Sequence, residues 1–276
     1  MRTASASRAT SAASASSAAS GRPGTVTRGG MWWGVDSAGP MNSDALNHVR
    51  GWYQGATPQI WGRYVVGEYA LDAAELAFAR RQGIYVYLLV PDVNCSECDS
   101  GGDLCGGDVS AAQAIADAHD AVRAASALPV RPHAVLFKDI EQVSSCRGEP
   151  SAVYMQSWYR ALKGSGYRVG FYGNSYQQDY DFPRAYCATV AIDPDIAANV
   201  IMDANQPEPA LGAPRDAVGP HNAPAFAPYI PSCSTLAATY IWQYGESTST
   251  DNYADIDQAR PGTPGLLAPD GSITGA

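Results

Sequence analysis

From Trp32 onward, short apolar runs alternate with segments of helical period, and this alternation restricts the fold more than any other feature of the chain. Two strands joined through a helix pair in parallel, with the helix covering one face of the sheet. The apolar runs predict strands at Trp33 to Ser37, Ile60 to Val66, Ile84 to Val90, Ala134 to Ile140, Arg168 to Tyr172, Thr189 to Ile192, Asn199 to Asp203 and Thr239 to Tyr244. Helices are expected at Ser43 to Gln54, Asp72 to Arg81, Ser110 to Ser126 and Ser151 to Lys163. Ser43, Asp72, Ser110 and Ser151 stand where N-caps accept a backbone N–H, and Gly83 and Gly164 where a left-handed residue ends a helix. Eight strands over about 230 residues match an α/β fold of the (β/α)8 TIM-barrel type, with a doubly wound open sheet as the alternative. The Pro-rich, poorly periodic stretch from Tyr176 to Pro231 predicts irregular last units.

The ends carry too little apolar area to extend this core. Residues 1–30 are mostly Ala, Ser, Thr, Gly and Arg and read as a disordered leader or linker. Residues 31–262 hold the barrel, and 263–276 read as a flexible C-terminal tail. Neither an apolar signal core nor a run of about 20 apolar residues is present, so no membrane span is expected and the export signal is not visible in this N-terminus.

In either architecture, chemistry is expected at the carboxyl ends of the strands. The run His133-Ala-Val-Leu-Phe-Lys-Asp-Ile-Glu141 ends with two acids at i and i+2, which a strand must place on one face. Paired carboxyls are what glycosidic bond cleavage needs, one to protonate the leaving oxygen and one to stabilise or attack the sugar cation. A solvated strand end or a bound cation is the plainer use of such a pair. The same rule brings Asp36 from the first strand, Tyr172 and Asn174 from the fifth, Asp203 from the seventh, and Gln243 and Tyr244 from the eighth, followed by a loop with Asp255 and Asp257. Crowded carboxyls cannot all ionise, so one should hold its proton above the usual range, and the longer Glu141 is assigned that role beside an ionised Asp139. Among the aromatics, Trp33, Tyr64, Tyr85 and Tyr87 are expected to pack within the core, and Tyr172, Trp242 and Tyr244 to reach the cleft. Lys138 is expected to pack or to form an ion pair.

Other chemistries lack support. With 18 basic against 27 acidic residues and a net charge of -9, nucleic acid and anionic membrane are excluded as partners. A neutral or cationic polymer fits better. No phosphate-binding glycine motif follows a strand, so no nucleotide cofactor is expected. His48, His119, His133 and His221 are scattered, which leaves no zinc-hydrolase cluster and no Ser-His-Asp triad. The acidic run from Asp99 to Asp108 lacks the ligand spacing of a calcium loop and reads as a turn. No metal and no other cofactor is expected. Six cysteines, at 95, 98, 105, 146, 187 and 233, could form three disulfides and point to an oxidising compartment, while Cys95, Cys98, Cys105 and Cys146 could instead hold a structural zinc.

Four segments, read together, resemble the family 25 glycoside hydrolases, the lysozyme-type muramidases, and more closely the glycoside-hydrolase-like domain of unknown function found in actinobacterial exported proteins. They are Gly34-Val35-Asp36, Asp139-Ile140-Glu141, Gly170-Phe171-Tyr172-Gly173-Asn174, and Trp242-Gln243-Tyr244 followed by Ala254-Asp255-Ile256-Asp257, within Met31 to Ala259. The resemblance implies Glu141 as proton donor, Asp139 beside it stabilising the transition state, and Asp36 and Asp255 completing an acidic floor. It further implies Tyr172, Asn174, Asp203, Trp242, Gln243, Tyr244 and Asp257 as substrate-binding residues. The substrate would be a cell-wall, peptidoglycan-type glycan, cleaved with retention, with the substrate's own acetamido group one proposed nucleophile. The protein would be a secreted or envelope-associated monomer. The cysteine-bearing loops and the long stretch from Asp193 to Cys233 depart from the muramidase pattern and would overhang the strand ends. A non-catalytic carbohydrate-binding or envelope-associated module on the same barrel is the alternative.

Overall fold

The computed structural model describes residues 25–91, 110–140, 152–176, 181–205, 219–245 and 254–276. Glu141, the helix cap expected at Ser151, Cys95, Cys98, Cys105 and Cys146, the run Asp99 to Asp108 and most of the 1–30 segment lie outside them.

Eight strands close into a barrel in chain order. They are β1 (Trp32–Asp36), β2 (Ile60–Tyr64), β3 (Tyr85–Val90), β4 (Val135–Ile140), β5 (Arg168–Asn174), β6 (Ile201–Asn205), β7 (Thr239–Gly245) and β8 (Asp255–Ala259). Helices α1 (Ser43–Trp52), α2 (Ala73–Gln82), α3 (Ala111–Ala127), α4 (Ala152–Ser165), α5 (Asp181–Ile192) and α6 (Asp195–Asn199) alternate with the first six. β1 to β7 pair in parallel, and β8 runs antiparallel to both β7 and β1. The fold is therefore the TIM-type barrel read from the sequence, irregular in its last units: among the described residues β7 is preceded by a short 3-10 turn at Leu236–Ala238 and no α-helix after β6, and β7 and β8 are antiparallel neighbours.

Two of the sequence expectations exchange places. Thr189 to Ile192 is not a strand but the last turn of α5, because Phe182, Ala185, Tyr186 and Thr189 recur on one buried helical face. The Thr189 hydroxyl donates back to Ala185 O at 2.6 Å. The eighth strand is instead Asp255–Ala259, the segment read as a loop. Five residues suffice there because an antiparallel neighbour needs no crossover helix.

Helix ends follow the expected chemistry with two displacements. Asp72 accepts from Glu75 N and Ser110 from Gln113 N, and Gly83 is left-handed at φ 75°. At α1 the cap is Asn42, whose side chain accepts from Ala45 N, so Ser43 is already helical. After α4, which runs to Ser165, the left-handed glycine is Gly166 rather than Gly164.

Residues 263–276, which composition alone reads as a tail, pack beneath the barrel. Val86 N donates to Leu267 O and Val135 N to Gly265 O, both at 2.9 Å, and Leu266 joins the interior cluster with Tyr87, Val135 and Phe137. Leu266, Leu267 and Ile273 supply the apolar anchor that the tail reading overlooks. A disulfide joins Cys187 on α5 to Cys233 ahead of β7.

Outside the sheet, two buried cations tie strands to helices. Arg63 on β2 donates to both Glu75 carboxylate oxygens, at 2.8 and 3.3 Å, and to the carbonyls of Ser37, Ala38 and Tyr69. Glu75 in turn accepts from Met41 N. Lys138 on β4 donates to Pro91 O at 2.5 Å, stands 3.7 Å from Asp117 on α3, and lies over the rings of Tyr154 and Trp158, the ion-pair role expected of it. Replacing Arg63 with Met would leave the Glu75 carboxylate buried beside one backbone donor among the described residues, Met41 N. Arg63→Met should lower unfolding stability by about 3–5 kcal/mol in urea titrations; a loss below about 1 kcal/mol would mean the pair is worth no more than a surface one.

Candidate active site at the barrel mouth

Side-chain parity decides what enters the barrel. Tyr85, Tyr87 and Leu89 on β3, Val135, Phe137 and Asp139 on β4, and Asp255, Asp257 and Ala259 on β8 alternate with residues that face the helices. Apolar members fill the lower layers, and polar members occupy the upper one. Closure by β8 then sets opposite Cα partners: Asp36 pairs with Asp255, Gly34 with Asp257, and Gln243 with Asp257.

Acids from four strands gather at this end: Asp36 from β1, Asp139 from β4, Asp203 from β6, and Asp255 and Asp257 from β8. Asp36, Asp139, Asp203 and Asp257 are buried. Tyrosines reach in among them. Tyr64 donates to Asp139 Oδ2 at 3.0 Å, Tyr87 to Asp257 Oδ2 at 2.8 Å and to Asp36 Oδ2 at 3.5 Å, and Tyr172 to Gln243 Oε1. The cations on β2 and β4, Arg63 and Lys138, are engaged on the outer face.

Burial pushes the Asp257 carboxyl up to about 8, the Asp255 charge adds to the rise, and hydrogen bonding with Tyr87 and Asp36 opposes it. Tyr87 is held well above the usual phenol range by burial and then by the charges of Asp257, Asp36 and Asp203, so it remains a neutral donor. The mouth thus combines a protonated carboxyl, other acids, neutral phenols and an amide. Such a set can donate a proton, stabilise a developing cation and bind hydroxyl groups. Among the described residues, no group of three or more His, Cys, Asp or Glu is arranged to hold a metal ion.

The predicted residues divide accordingly. Asp36, Asp139, Tyr172, Asp203, Gln243, Asp255 and Asp257 come together. Asn174 lies at the end of β5, where its Oδ1 accepts from Tyr176 N at 3.0 Å and shapes the following turn. Trp242 and Tyr244 do not join them: both belong to the cluster between sheet and helices, where Trp242 packs on Phe226 and Tyr244 accepts from Trp33 Nε1. Their parity is opposite to that of Gln243, which a single alternating strand already dictates. Tyr64 and Tyr87 pack in the interior cluster as expected, and their hydroxyls also bond to the acids. The signal was present, since each lies on the same face of its strand as an inward residue, Gly62 and Leu89 respectively.

A family model for the Rv2525c-like, glycoside hydrolase-like domain matches residues 51–207. The crystal structure of an uncharacterized B. stearothermophilus protein is 26% identical, with a TM-score of 0.66 over 83% of this chain and 96% of that one. Two other solved structures are more remote. The Mycobacterium tuberculosis Tat-secreted protein Rv2525c, in complex with HEPES, is 14% identical with a TM-score of 0.47 over 83% of this chain and 96% of that one. The modular autolysin LytC from Streptococcus pneumoniae is 16% identical with a TM-score of 0.45 over 83% of this chain and 46% of that one. No curated protein matches.

The Asp257 environment has a consequence for stability. In the folded protein Asp257 keeps a proton that the unfolded chain releases near the ordinary aspartate value of 3.8. Its contribution to stability is therefore complete below that value and is lost as pH rises to about 8, by at most about 1.4 kcal/mol per pH unit. Asp257→Asn carries no charge at any pH. Its stability relative to wild type should rise steadily from pH 4 to pH 8 in urea titrations at stepped pH, and parallel profiles would show that Asp257 is ionised in the fold.

Proposed function

The chain belongs to the family of Rv2525c-like, glycoside hydrolase-like domains, and we propose that its barrel mouth cleaves a cell-wall, peptidoglycan-type or related glycan by carboxylate acid/base catalysis. One observation carries this reading: carboxyls that are far apart in sequence sit together at the strand ends, and burial keeps a proton on Asp257 among them. A proton held on one carboxyl of an acid cluster is the condition under which carboxyls divide acid and base roles. The barrel family and the position of the cluster at the carboxyl ends of the strands support the same conclusion.

In this reading Glu141 donates the proton to the glycosidic oxygen. Asp139, oriented by the Tyr64 hydroxyl, stabilises the positive charge that develops on the sugar as the bond breaks. Asp36 and Asp255 form the acidic floor. Tyr172, Asn174, Asp203, Gln243 and Asp257 bind substrate hydroxyl or amide groups. Trp242 and Tyr244 drop out of the substrate-binding set because they face the helices. The protein acts as a secreted or envelope-associated monomer, a setting supported by the Cys187–Cys233 disulfide. The remaining cysteines then either pair or hold zinc.

Incubation of the purified protein with peptidoglycan and chitin-like oligomers, with release of reducing ends as the readout, tests the proposal. Hydrolysis should fall by about 10²–10⁴-fold in Glu141→Gln, with glycan binding retained, and Asp139→Asn should fall similarly. Wild-type protein that binds these glycans yet releases no reducing ends would establish the binding module instead.

A further inference from the structure

Tyr87 occupies a position that the acid cluster alone does not explain. It rises from β3, is fully buried, and donates toward carboxyls on two other strands, 2.8 Å from Asp257 Oδ2 and 3.5 Å from Asp36 Oδ2. The barrel makes room for it by leaving out a side chain. A Cβ at Gly62 would lie 2.3 Å from Tyr87 Cζ and 2.6 Å from Asp36 Cβ, contacts that real Cβ atoms do not make, and neither a ring held by its OH nor a strand backbone can yield. The glycine has ordinary strand geometry, so close approach rather than backbone freedom accounts for it. Asp257 is completely buried, and its Oδ1 accepts from no donor among the described residues.

We propose that Tyr87 is the positioning residue of the mouth: its phenol bridges Asp257 and Asp36, holds the two carboxyls in place and limits how tightly Asp257 keeps its proton. A hydroxyl offers one proton, and the shorter bond goes to Asp257, so Tyr87 favours the ionised form of that carboxyl against the burial that opposes it. The groups facing Tyr87 are Asp36 from β1, Asp203 from β6, and Asp257 with Asp255 beside it from β8. All are acidic. Arg63 on β2 and Lys138 on β4 point away into ion pairs with Glu75 and Asp117, and β3 itself carries no cation. Tyr87 therefore does for this cluster what a positive charge does elsewhere, without neutralising it. The consequence for catalysis rests on the glycosidase reading, whereas the hydrogen bonding belongs to the unliganded protein.

Infrared spectroscopy of the protonated carboxyl C=O stretch, followed from pH 4 to pH 10, tests this without any substrate. Wild type should show a band that persists toward neutrality and is missing in Asp257→Asn. Tyr87→Phe should retain the band and move its titration upward by roughly one to two pH units, the loss of one hydrogen bond to a charged group. An unchanged titration in Tyr87→Phe would make Tyr87 a space-filling residue and overturn the proposal, as would a wild-type spectrum with no band dependent on Asp257. Should Tyr87→Phe not fold, wild-type protein labelled with ¹³Cζ-tyrosine decides: one tyrosine resonance should move with the carboxyl titration and lose that movement in Asp257→Asn, and its absence would sink the idea. If hydrolysis is found, the pH–rate profile of Tyr87→Phe should shift in the same direction. If none is found, the glycosidase reading fails while the spectroscopic result stands on its own.

Discussion

The barrel depends on a five-residue strand inserted backwards. β8 closes the sheet by pairing antiparallel with both β7 and β1, which satisfies the two edges that seven parallel strands would leave open. The same register carries the site. Asp255 comes opposite Asp36, and Asp257 stands between Gly34 and Gln243. Because side chains alternate, a slip of one residue would turn both acids toward the helices and bring Ile256 and Gln258 into the mouth. The outer face guards against that slip: Ile256 is fully buried in the outer cluster, and Gln258 donates to Pro224 O. Closure and the assembly of the acid cluster are thus one event.

Charge is sorted by face along the strands. On β4, Asp139 turns inward to Tyr64 while its neighbour Lys138 turns outward to Asp117 under two aromatic rings. On β2, Tyr64 turns inward while Arg63 turns outward to Glu75 and to three loop carbonyls. Two of those carbonyls, from Ser37 and Ala38, directly follow Asp36, so the outer guanidinium also fixes the end of the strand that presents the first acid. Each buried cation is matched outside the barrel, where it offsets its own desolvation. Inside, acids face one another, phenols and an amide; burial and the neighbouring Asp255 charge raise the proton affinity of Asp257, and the Tyr87 phenol opposes that rise. The overall acidity of the chain, net -9, is echoed at the mouth.

Much of this could be read from residue order. Alternation of strand and helix gives the barrel and seven of its eight strands near their observed positions, and parity on β4 places Asp139 inward. Parity would also have excluded Trp242 and Tyr244 once Gln243 was taken as inward, but an aromatic near a strand end invites a ligand-stacking role that composition cannot weigh. Thr189 to Ile192 misled because a four-residue apolar run is compatible with either period; the longer face from Phe182 decides for helix.

The sequence by itself determined which residues share a face within each element, since periods of 2 and 3.6 are local properties of the backbone. It also determined the caps that start α2 and α3, because a cap bonds only two or three residues away. Tertiary structure alone decided that Asp255–Ala259 is a strand, that 263–276 seals the barrel floor, and that Tyr87 meets Asp36 and Asp257 across a space kept open by Gly62. In each case the stabilising partner lies dozens to hundreds of residues away, and only closure of the barrel brings it within hydrogen-bonding distance.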